Sequence, residues 1–219
     1  LNCYNKKSGK FTTYKHDPED ENSISGSFIQ AIAEDIKGNL WIGTKKSGIN
    51  KFDRTTNTFT RYKHKSNDPN SLSSNEIYHI LIDQPGNLWI AHPGGFGITI
   101  YDPQLCQFQK YTCDPKNANS LSSNDIISFF KDKLNNVWVV DYLGGIDRAV
   151  YKNQVINVYG HNLPNSINIS SNVVIGLYED KDKNIWMGTH DGGLCVLNTH
   201  TKRIENFKHK DNDPFSLPH

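Results

Sequence analysis

The chain has 219 residues, with 24 basic and 23 acidic side chains and a formal net charge of +1. It lacks the basic surplus that is typical of proteins binding nucleic acids or anionic membranes, so neither contact is expected. Only 36% of the residues are hydrophobic. No apolar run approaches the about 20 residues of a membrane span.

Four tryptophans recur along the chain at intervals of 48, 49 and 48 residues: Trp41, Trp89, Trp138 and Trp186. Each lies in a near-copy of one phrase, which reads Asn-Leu-Trp-Ile-Gly in the first copy, residues 39–43. A fixed long period indicates one supersecondary unit that is repeated, with each copy burying its apolar face against the next. The spacing therefore predicts a repeat protein.

The predicted elements begin with half a repeat at residues 1–14, which resembles the second half of the following copy. Whole repeats are predicted at about 24–62, 72–111, 121–159 and 167–207, and residues 208–219 resemble the linker before another copy. Unmatched ends and the absence of a visible signal peptide are typical of a piece of a longer array. The sequence thus predicts one incomplete domain that lacks its remaining repeats.

The second repeat shows what each copy contains. A β-rich segment at 75–83 is followed by a tight turn, and Leu88–Ala91 is a second, apolar strand. A Gly-rich loop leads to a third strand at Ile98–Asp102 and then to a fourth at Phe108–Tyr111. Four short strands in a repeat of 40 to 50 residues are the signature of a β-propeller blade. The fold class is therefore predicted as all-β, with four complete four-stranded blades and half a blade.

Two repeats depart from the pattern. The second has one extra residue in the loop His92–Gly97, which accounts for the single interval of 49. The third has Val140-Asp141 where others have Gly-Thr, and its third strand, Ile146-Asp147-Arg148-Ala149-Val150, lacks the usual Phe-Asp. We interpret the departure of the third repeat as drift within the array, with a specialised blade as the alternative.

These motifs resemble a known family. Asn39–Thr44, Gly48–Asp53, Phe59–His64 and Asn67–Ser73 are similar to the two-component regulator propeller repeat, and the resemblance covers nearly the whole chain. It implies the extracytoplasmic, periplasmic part of an inner-membrane hybrid histidine kinase and a larger, seven-bladed propeller. Such sensors bind oligosaccharides and switch on the genes that use them. No kinase or receiver motif is present, so this chain is predicted to be a sensor and not an enzyme, with no catalytic residues.

Any ligand is expected on the loops that differ between blades, on one face or at the mouth of the central channel. The loop after each tryptophan strand varies most, and its aromatic and polar side chains could stack on rings and bond hydroxyls. The candidate ligand-binding residues are His92, Phe96, Tyr142, His190 and Asp191. Ordinary solvated loops are the alternative.

Other chemistry is not expected. His16, His64 and His209 share one repeated position and cannot converge on a metal, and Asp180 opens an EF-hand-like phrase without the distal Glu. No metal or cofactor is therefore predicted. The repeated tryptophans are expected to be core and not sugar-stacking platforms. The cysteines form no CxxC pair, and a disulfide between Cys106 and Cys113 is not expected because one strand separates them.

A second function remains open at this stage. The chain could be a scaffold propeller that binds a protein, including another copy of itself through open blade faces. A propeller lyase or hydrolase would need acid and base residues that converge near the axis, and the sequence offers no such set.

Overall fold

The computed structural model describes residues 1–117, 119–150, 155–163 and 166–218, and the regular elements in these ranges are all β-strands. Within the same ranges no helix is long and apolar enough to cross a membrane. The chain falls into two compact units, Leu1–Lys110 and Tyr111–His219. The all-β fold class predicted from the sequence is confirmed.

The first unit contains a hairpin followed by two four-stranded sheets, in which neighbours along the chain are also neighbours in the sheet. The strands are β1 (Asn2–Asn5), β2 (Lys10–Thr13), β3 (Ile29–Glu34), β4 (Leu40–Thr44), β5 (Ile49–Asp53), β6 (Thr58–Tyr62), β7 (His79–Ile82), β8 (Leu88–Ala91), β9 (Ile98–Asp102) and β10 (Gln107–Tyr111).

The second unit contains two further sheets, the first of which has a fifth short strand that pairs with its neighbour in parallel. The strands are β11 (Ile126–Lys131), β12 (Val137–Asp141), β13 (Ile146–Val150), β14 (Val155–Gly160), β15 (Ile167–Asn168), β16 (Val174–Glu179), β17 (Ile185–Thr189), β18 (Leu194–Leu197) and β19 (Ile204–Phe207). We call β3–β6, β7–β10, β11–β14 and β16–β19 the first to fourth blades.

The first strand of the second blade is shorter than the segment 75–83 that the sequence indicates. Ile77 donates its N–H to the carbonyl of Thr44 in the first blade at 3.1 Å, so this residue bonds to the neighbouring blade instead of its own ladder. Regular pairing begins at His79, opposite Ala91. The second and third strands of this blade have the predicted limits.

Within the first unit the two blades share an apolar core. The ring centroids of Trp41 and Tyr101 lie 5.4 Å apart across the two sheets. Gly43 faces Ile77 so closely that an added Cβ would lie 2.5 Å from its Cγ2. The glycine after the tryptophan strand therefore allows the next blade to approach, as its place in the repeat suggests.

Within the second unit the core also joins two blades. Trp138 and Tyr159 of the third blade belong to the same buried cluster as Val174, Met187 and Cys195 of the fourth. The second strands lie deepest, since every residue of β12 is buried. A strand that is apolar on both faces fits a sheet packed between two neighbours.

One carboxylate anchors the tryptophan of each blade from the turn before it. Asp132 Oδ2 accepts the indole N–H of Trp138 at 3.0 Å and a side-chain N–H of Asn136 at 2.8 Å, while Oδ1 accepts the Asn136 backbone N–H. Asp35, Asp83 and Asp180 repeat this arrangement at 2.9–3.0 Å from their tryptophans. Trp41 and Trp138 are fully buried and the other two half-buried. The prediction that the tryptophans are core is confirmed for Trp41 and Trp138, whereas Trp89 and Trp186 are only partly buried.

The recurring histidines form hydrogen bonds within the linkers that precede or follow the blades. His16, His64, His161 and His209 each place Nδ1 2.6–3.1 Å from the carbonyl oxygen of the residue eight positions later. The sequence pattern predicts three members of this series, and His161 is a fourth that it does not indicate. At the equivalent position before the third blade, Cys113 Sγ lies 3.6 Å from the carbonyl of Ser122. All four cysteines are free thiols.

Candidate functional site

In each of the four blades, a loop of similar construction follows the second strand. We call residues 44–48, 92–97, 141–145 and 189–193 the variable loops. In each, the first residue donates its N–H to the carbonyl of the closing glycine, at 3.0 Å for Thr44 and Gly48 and 3.2 Å for Asp141 and Gly145. The frame is constant, and the side chains at the tip differ.

The closing glycines are required by the backbone. Gly48 and Gly145 have φ of 77° and 85°, a region that side chains disfavour, and an added Cβ would collide with the carbonyl oxygen of Tyr62 or Tyr159. Each loop therefore begins and ends at fixed points of its blade.

Four of the five predicted site residues reach the surface of these loops. Phe96 and Tyr142 are 49% and 56% exposed, and His190 and Asp191 are exposed as well. The backbone N–H of Tyr142 is held by the carbonyl of Asp125 at 3.0 Å. Hydrogen bonding from Ser171 lowers the pKa of Asp191, so its carboxylate is ionised and accepts hydrogen bonds at neutral pH. Tyr142 and His190 lie on different blades of the second unit.

His92, the fifth predicted residue, lies below the loop surface. Its side chain is fully buried, with Nδ1 2.9 Å from the carbonyl of Glu76 and Nε2 2.9 Å from Oγ1 of Thr99. Burial lowers its pKa to about 4, so the ring is neutral at physiological pH. It supports the loop from beneath.

Each variable loop rests on three polar side chains at equivalent positions of the repeat. The first is a serine at the start of the blade, the second begins the variable loop and the third lies in the third strand. The sets are Ser25, Thr44 and Asn50; Ser73, His92 and Thr99; Ser122, Asp141 and Asp147; Ser170, Thr189 and Cys195. In the first blade Asn50 accepts the Ser25 N–H at 2.7 Å and donates to its hydroxyl at 2.9 Å.

The third blade is different because two of its three members are carboxylic acids. Asp141 and Asp147 are fully buried, and Ser122 holds both: its hydroxyl donates to Asp141 at 2.7 Å and its backbone N–H to Asp147 at 2.8 Å. Among the described side chains, Oδ1 of each aspartate is buried without a hydrogen-bond partner. Burial raises the pKa of Asp141 to about 8 and that of Asp147 to about 6.

Among the described residues of the third blade, no cation is paired with Asp141 or Asp147. Arg148 follows Asp147 in β13, and successive strand residues point to opposite faces. Its guanidinium lies 5.3 Å from the Trp138 ring centroid, and its Nε is 4.0 Å from Asp132. The pair therefore holds a proton at neutral pH, which favours a specialised third blade over simple drift. The sequence signal of this buried pair is that positions 141 and 147 are acidic, whereas the equivalent positions of the other blades are not.

The first blade carries a surface pocket of about 320 Å³ at its variable loop. It is lined by Gly26, Ser27, Phe28, Thr44, Lys45, Lys46 and Ser47. Sequence analysis noted the variability of residues 45–47 but did not select Phe28, which belongs to the segment before the first strand. No sequence motif indicates that residues 26–28 and 44–47 lie side by side.

Among the described residues, no group of three or more His, Cys, Asp or Glu side chains is arranged to hold a metal ion. The EF-hand-like phrase at Asp180 is a hairpin turn. The Asp180 carboxylate accepts the side-chain N–H of Asn184 and the indole N–H of Trp186, both at 2.9 Å.

The repeats match a known family. Residues 23–46, 71–94 and 168–191 match the two component regulator propeller, each running from the linker into the variable loop. The three matched repeats are two-component regulator propeller repeats. The third blade, with its buried aspartates, is outside the matched segments. No curated protein sequence matches the chain.

Solved structures establish the β-propeller fold of this chain. It is similar to the extracellular domain of the putative hybrid two component system BT3049 from B. thetaiotaomicron, with a TM-score of 0.72 and 23% identity over 90% of this chain and 26% of that one. The corresponding domain of BT4673, from the same organism, gives 0.67 and 24% over 92% and 27%. The chain thus spans about a quarter of each.

The fold is also shared with an enzyme. A virginiamycin B lyase from Staphylococcus aureus gives a TM-score of 0.63 and 16% identity over 95% of this chain and 62% of that one. Likeness of fold at this identity does not transfer an activity, because propellers support many functions. The regulator propeller repeats, and not the fold, separate this chain from the lyase.

Proposed function

We propose that this chain is part of the extracytoplasmic sensing region of a membrane-bound two-component regulator. The repeat match at residues 23–46, 71–94 and 168–191 carries the proposal. The likeness to extracellular domains of two putative hybrid two component systems supports an extracytoplasmic location. The signal passes to transcription through parts of the protein outside this chain.

The proposed ligand is an oligosaccharide, recognised by the variable loops. Phe96 and Tyr142 offer exposed rings, and a sugar ring has an apolar C–H face that packs on such surfaces. Asp191 and His190 offer polar groups for hydroxyls in the second unit. Rigid frames beneath the loops reduce the entropy lost on binding. This combination suits a ligand that presents many hydroxyls and few charges.

The first test is calorimetric titration of the chain against a library of neutral and acidic oligosaccharides. With the best ligand, Tyr142→Ala or Phe96→Ala should weaken binding about tenfold, the effect expected when an aromatic anchor is lost. Phe96 and Tyr142 belong to different units, so the loss of affinity is expected for the variant whose ring contacts the ligand. Absence of binding across the whole library would count against the proposal.

Matched controls exist at the other end of the same blades. Leu134 and Leu105 are 47% and 63% exposed and lie in turns opposite the variable loops. Leu134→Ala and Leu105→Ala should leave the dissociation constant unchanged. A loss of affinity equal to that of the loop variants would show that the effect is not local to the loops.

A scaffold function is the second candidate, and the fourth blade supplies its observation. Ile175 and Tyr178 in β16 are 70% and 66% exposed, although both are large and apolar. Gly188, which corresponds to Gly43 of the first blade, has only Ile175 within 4 Å of an added Cβ. Exposed apolar surface of this kind is covered by a further repeat of the array or by a partner molecule. Light scattering tests self-association: a monomer across the micromolar range would exclude a homodimer of useful affinity.

A further inference from the structure

The pocket of the first blade is formed by an exchange of residues that distinguishes this blade from the others. Blades two to four begin with Ser-Ser-Asn, whereas the first begins with Ser25-Gly26-Ser27. In the other blades the asparagine caps the preceding linker: Asn75 accepts the His64 N–H at 2.8 Å and Asn124 the Cys113 N–H at 2.6 Å. Ser27 is exposed, and no such bond to the linker is described for it.

In the first blade, a glycine and a serine that face each other are in the reverse order to the equivalent pair of the third blade. In the third blade Ser123 faces Gly144, where an added Cβ would lie 2.8 Å from the serine Cβ. In the first blade Gly26 faces Ser47, and its added Cβ would lie 2.7 Å from the serine Oγ. Only one of the two positions can carry a side chain. The first blade places its side chain on the loop, which leaves the start of the blade open.

The rim of the pocket combines an aromatic ring with two positive charges. Phe28 is 67% exposed, and the Lys45 ammonium lies 5.6 Å from its ring centroid. The Lys45 N–H donates to the Phe28 carbonyl at 3.0 Å, so backbone bonding fixes the two residues side by side. Lys46 follows, and none of the seven lining residues is acidic.

The equivalent positions of the second and third blades carry no lysine, and one of them is acidic in each. Glu76 and Asp125 occupy the place of Phe28 in the second and third blades, and Tyr142 takes the place of Lys45 in the third. The positive aromatic rim is therefore not a property of the repeat. A rim of this composition suits a ligand with an apolar face next to an anionic group.

We propose that this pocket binds an acidic residue of an oligosaccharide, with the sugar ring on Phe28 and its carboxylate or sulfate held by Lys45 and Lys46. The inference rests on the proposed oligosaccharide function and adds the charge of the ligand to it. Charge-assisted hydrogen bonds to a partly enclosed anion are the strong ones, and they discriminate against a neutral sugar of the same size. The pocket volume of about 320 Å³ lies at the lower end of the range for ligand sites. A pocket of this size fits one sugar residue.

The test uses the whole chain and four probes in calorimetric titrations at low salt. They are a uronic-acid tetrasaccharide, its carboxyl-reduced neutral counterpart, a sulfated neutral tetrasaccharide and inorganic sulfate. An acidic tetrasaccharide should bind about tenfold or more tightly than the neutral one. Comparison of the uronic and sulfated probes identifies which anion the lysines hold.

Three variants locate the effect. Lys45→Gln with Lys46→Gln should abolish the preference for the acidic tetrasaccharide, whereas Lys6→Gln with Lys7→Gln, an adjacent exposed pair in the β1–β2 turn, should retain it. Gly26→Ser with Ser27→Asn and Ser47→Gly gives the first blade the residues of the third and fourth and should fill the pocket. That variant should lose binding while its thermal unfolding is unchanged.

The outcomes separate this inference from the proposed function. Equal binding of neutral and acidic tetrasaccharides, unaffected by the change of Lys45 and Lys46, would overturn the inference and leave oligosaccharide sensing in place. Failure of every saccharide to bind would overturn both. Inorganic sulfate binding as tightly as the acidic tetrasaccharides would show an anion site without sugar recognition and would also overturn the inference.

Discussion

Asp147→Asn should raise the free energy of unfolding at pH 8 by about 3 kcal/mol. The substitution gives the third blade the neutral asparagine that the first blade has at Asn50, where it accepts the serine N–H and donates to the hydroxyl. Asp141 then no longer faces a second buried carboxylate, which is one cause of its raised pKa. Urea unfolding followed by circular dichroism at pH 5 and pH 8 measures the change.

The sign of the pH effect follows from proton binding. Burial raises the folded-state pKa of Asp147 to about 6, and burial with repulsion from Asp147 raises that of Asp141 to about 8, both above the unfolded value of 3.8. The folded state therefore binds more protons, and stability falls as the pH rises. The stabilisation from these groups is fully present below about pH 4 and is lost through about pH 8. Asp125 adds repulsion to Asp141, and hydrogen bonds from Ser122 oppose the shifts.

The control is an exposed carboxylate of the same unit. Asp182→Asn lies in the turn before Trp186, where the side chain is exposed, and should leave the pH profile unchanged. Asp147→Asn should flatten the fall in stability between pH 5 and pH 8. An unfolding free energy for Asp147→Asn that falls as steeply as in the parent chain would show that the buried pair is not protonated.

Trp138→Ala should cost about 4 kcal/mol of unfolding free energy, the usual loss for a buried tryptophan. The side chain is fully buried, packs 5.3 Å from the Tyr159 ring and donates its N–H to Asp132. Its loss leaves a cavity between the third and fourth blades, and Asp132 loses one of its donors. Urea unfolding followed by circular dichroism measures the loss, since it does not depend on tryptophan fluorescence.

Two further substitutions separate packing from hydrogen bonding. Trp138→Phe keeps a ring but removes the indole N–H, so it should cost less, about 2 kcal/mol. Trp186→Ala should also cost less than Trp138→Ala, because Trp186 is only partly buried and its stacked neighbour Phe207 is 43% exposed. Equal costs for the two alanine variants would contradict the assignment of Trp138 to the centre of a core.

Much of the fold could be predicted because the repeat presents the same evidence four times. The tryptophan period, the Asp-to-Asn turns and the glycines of the variable loops specify strand order and the place of each hairpin. The beginning of β7 was not predictable, because Ile77 bonds to Thr44 of another blade. Local sequence does not contain such a contact.

The candidate site was predictable only in outline. Variability of the loops pointed to Phe96, Tyr142 and His190, which are exposed on them. His92 begins its loop, at the position of Thr44, Asp141 and Thr189, and its ring is buried with its nitrogens bonded to Glu76 and Thr99. The Asp141 and Asp147 pair and the Phe28 and Lys45 rim depend on contacts between segments 6 to 17 residues apart, which periodicity does not show.

Ligand recognition by the variable loops is tested most directly by NMR. Backbone amide resonances of the chain would be recorded during titration with the tightest oligosaccharide from the library. The account predicts shift changes in residues 26–28 and 45–47 or in the other variable loops, 92–97, 141–145 and 189–193, with the turns at the opposite ends of the blades unaffected. Shift changes confined to those turns, or none with any saccharide, would contradict it.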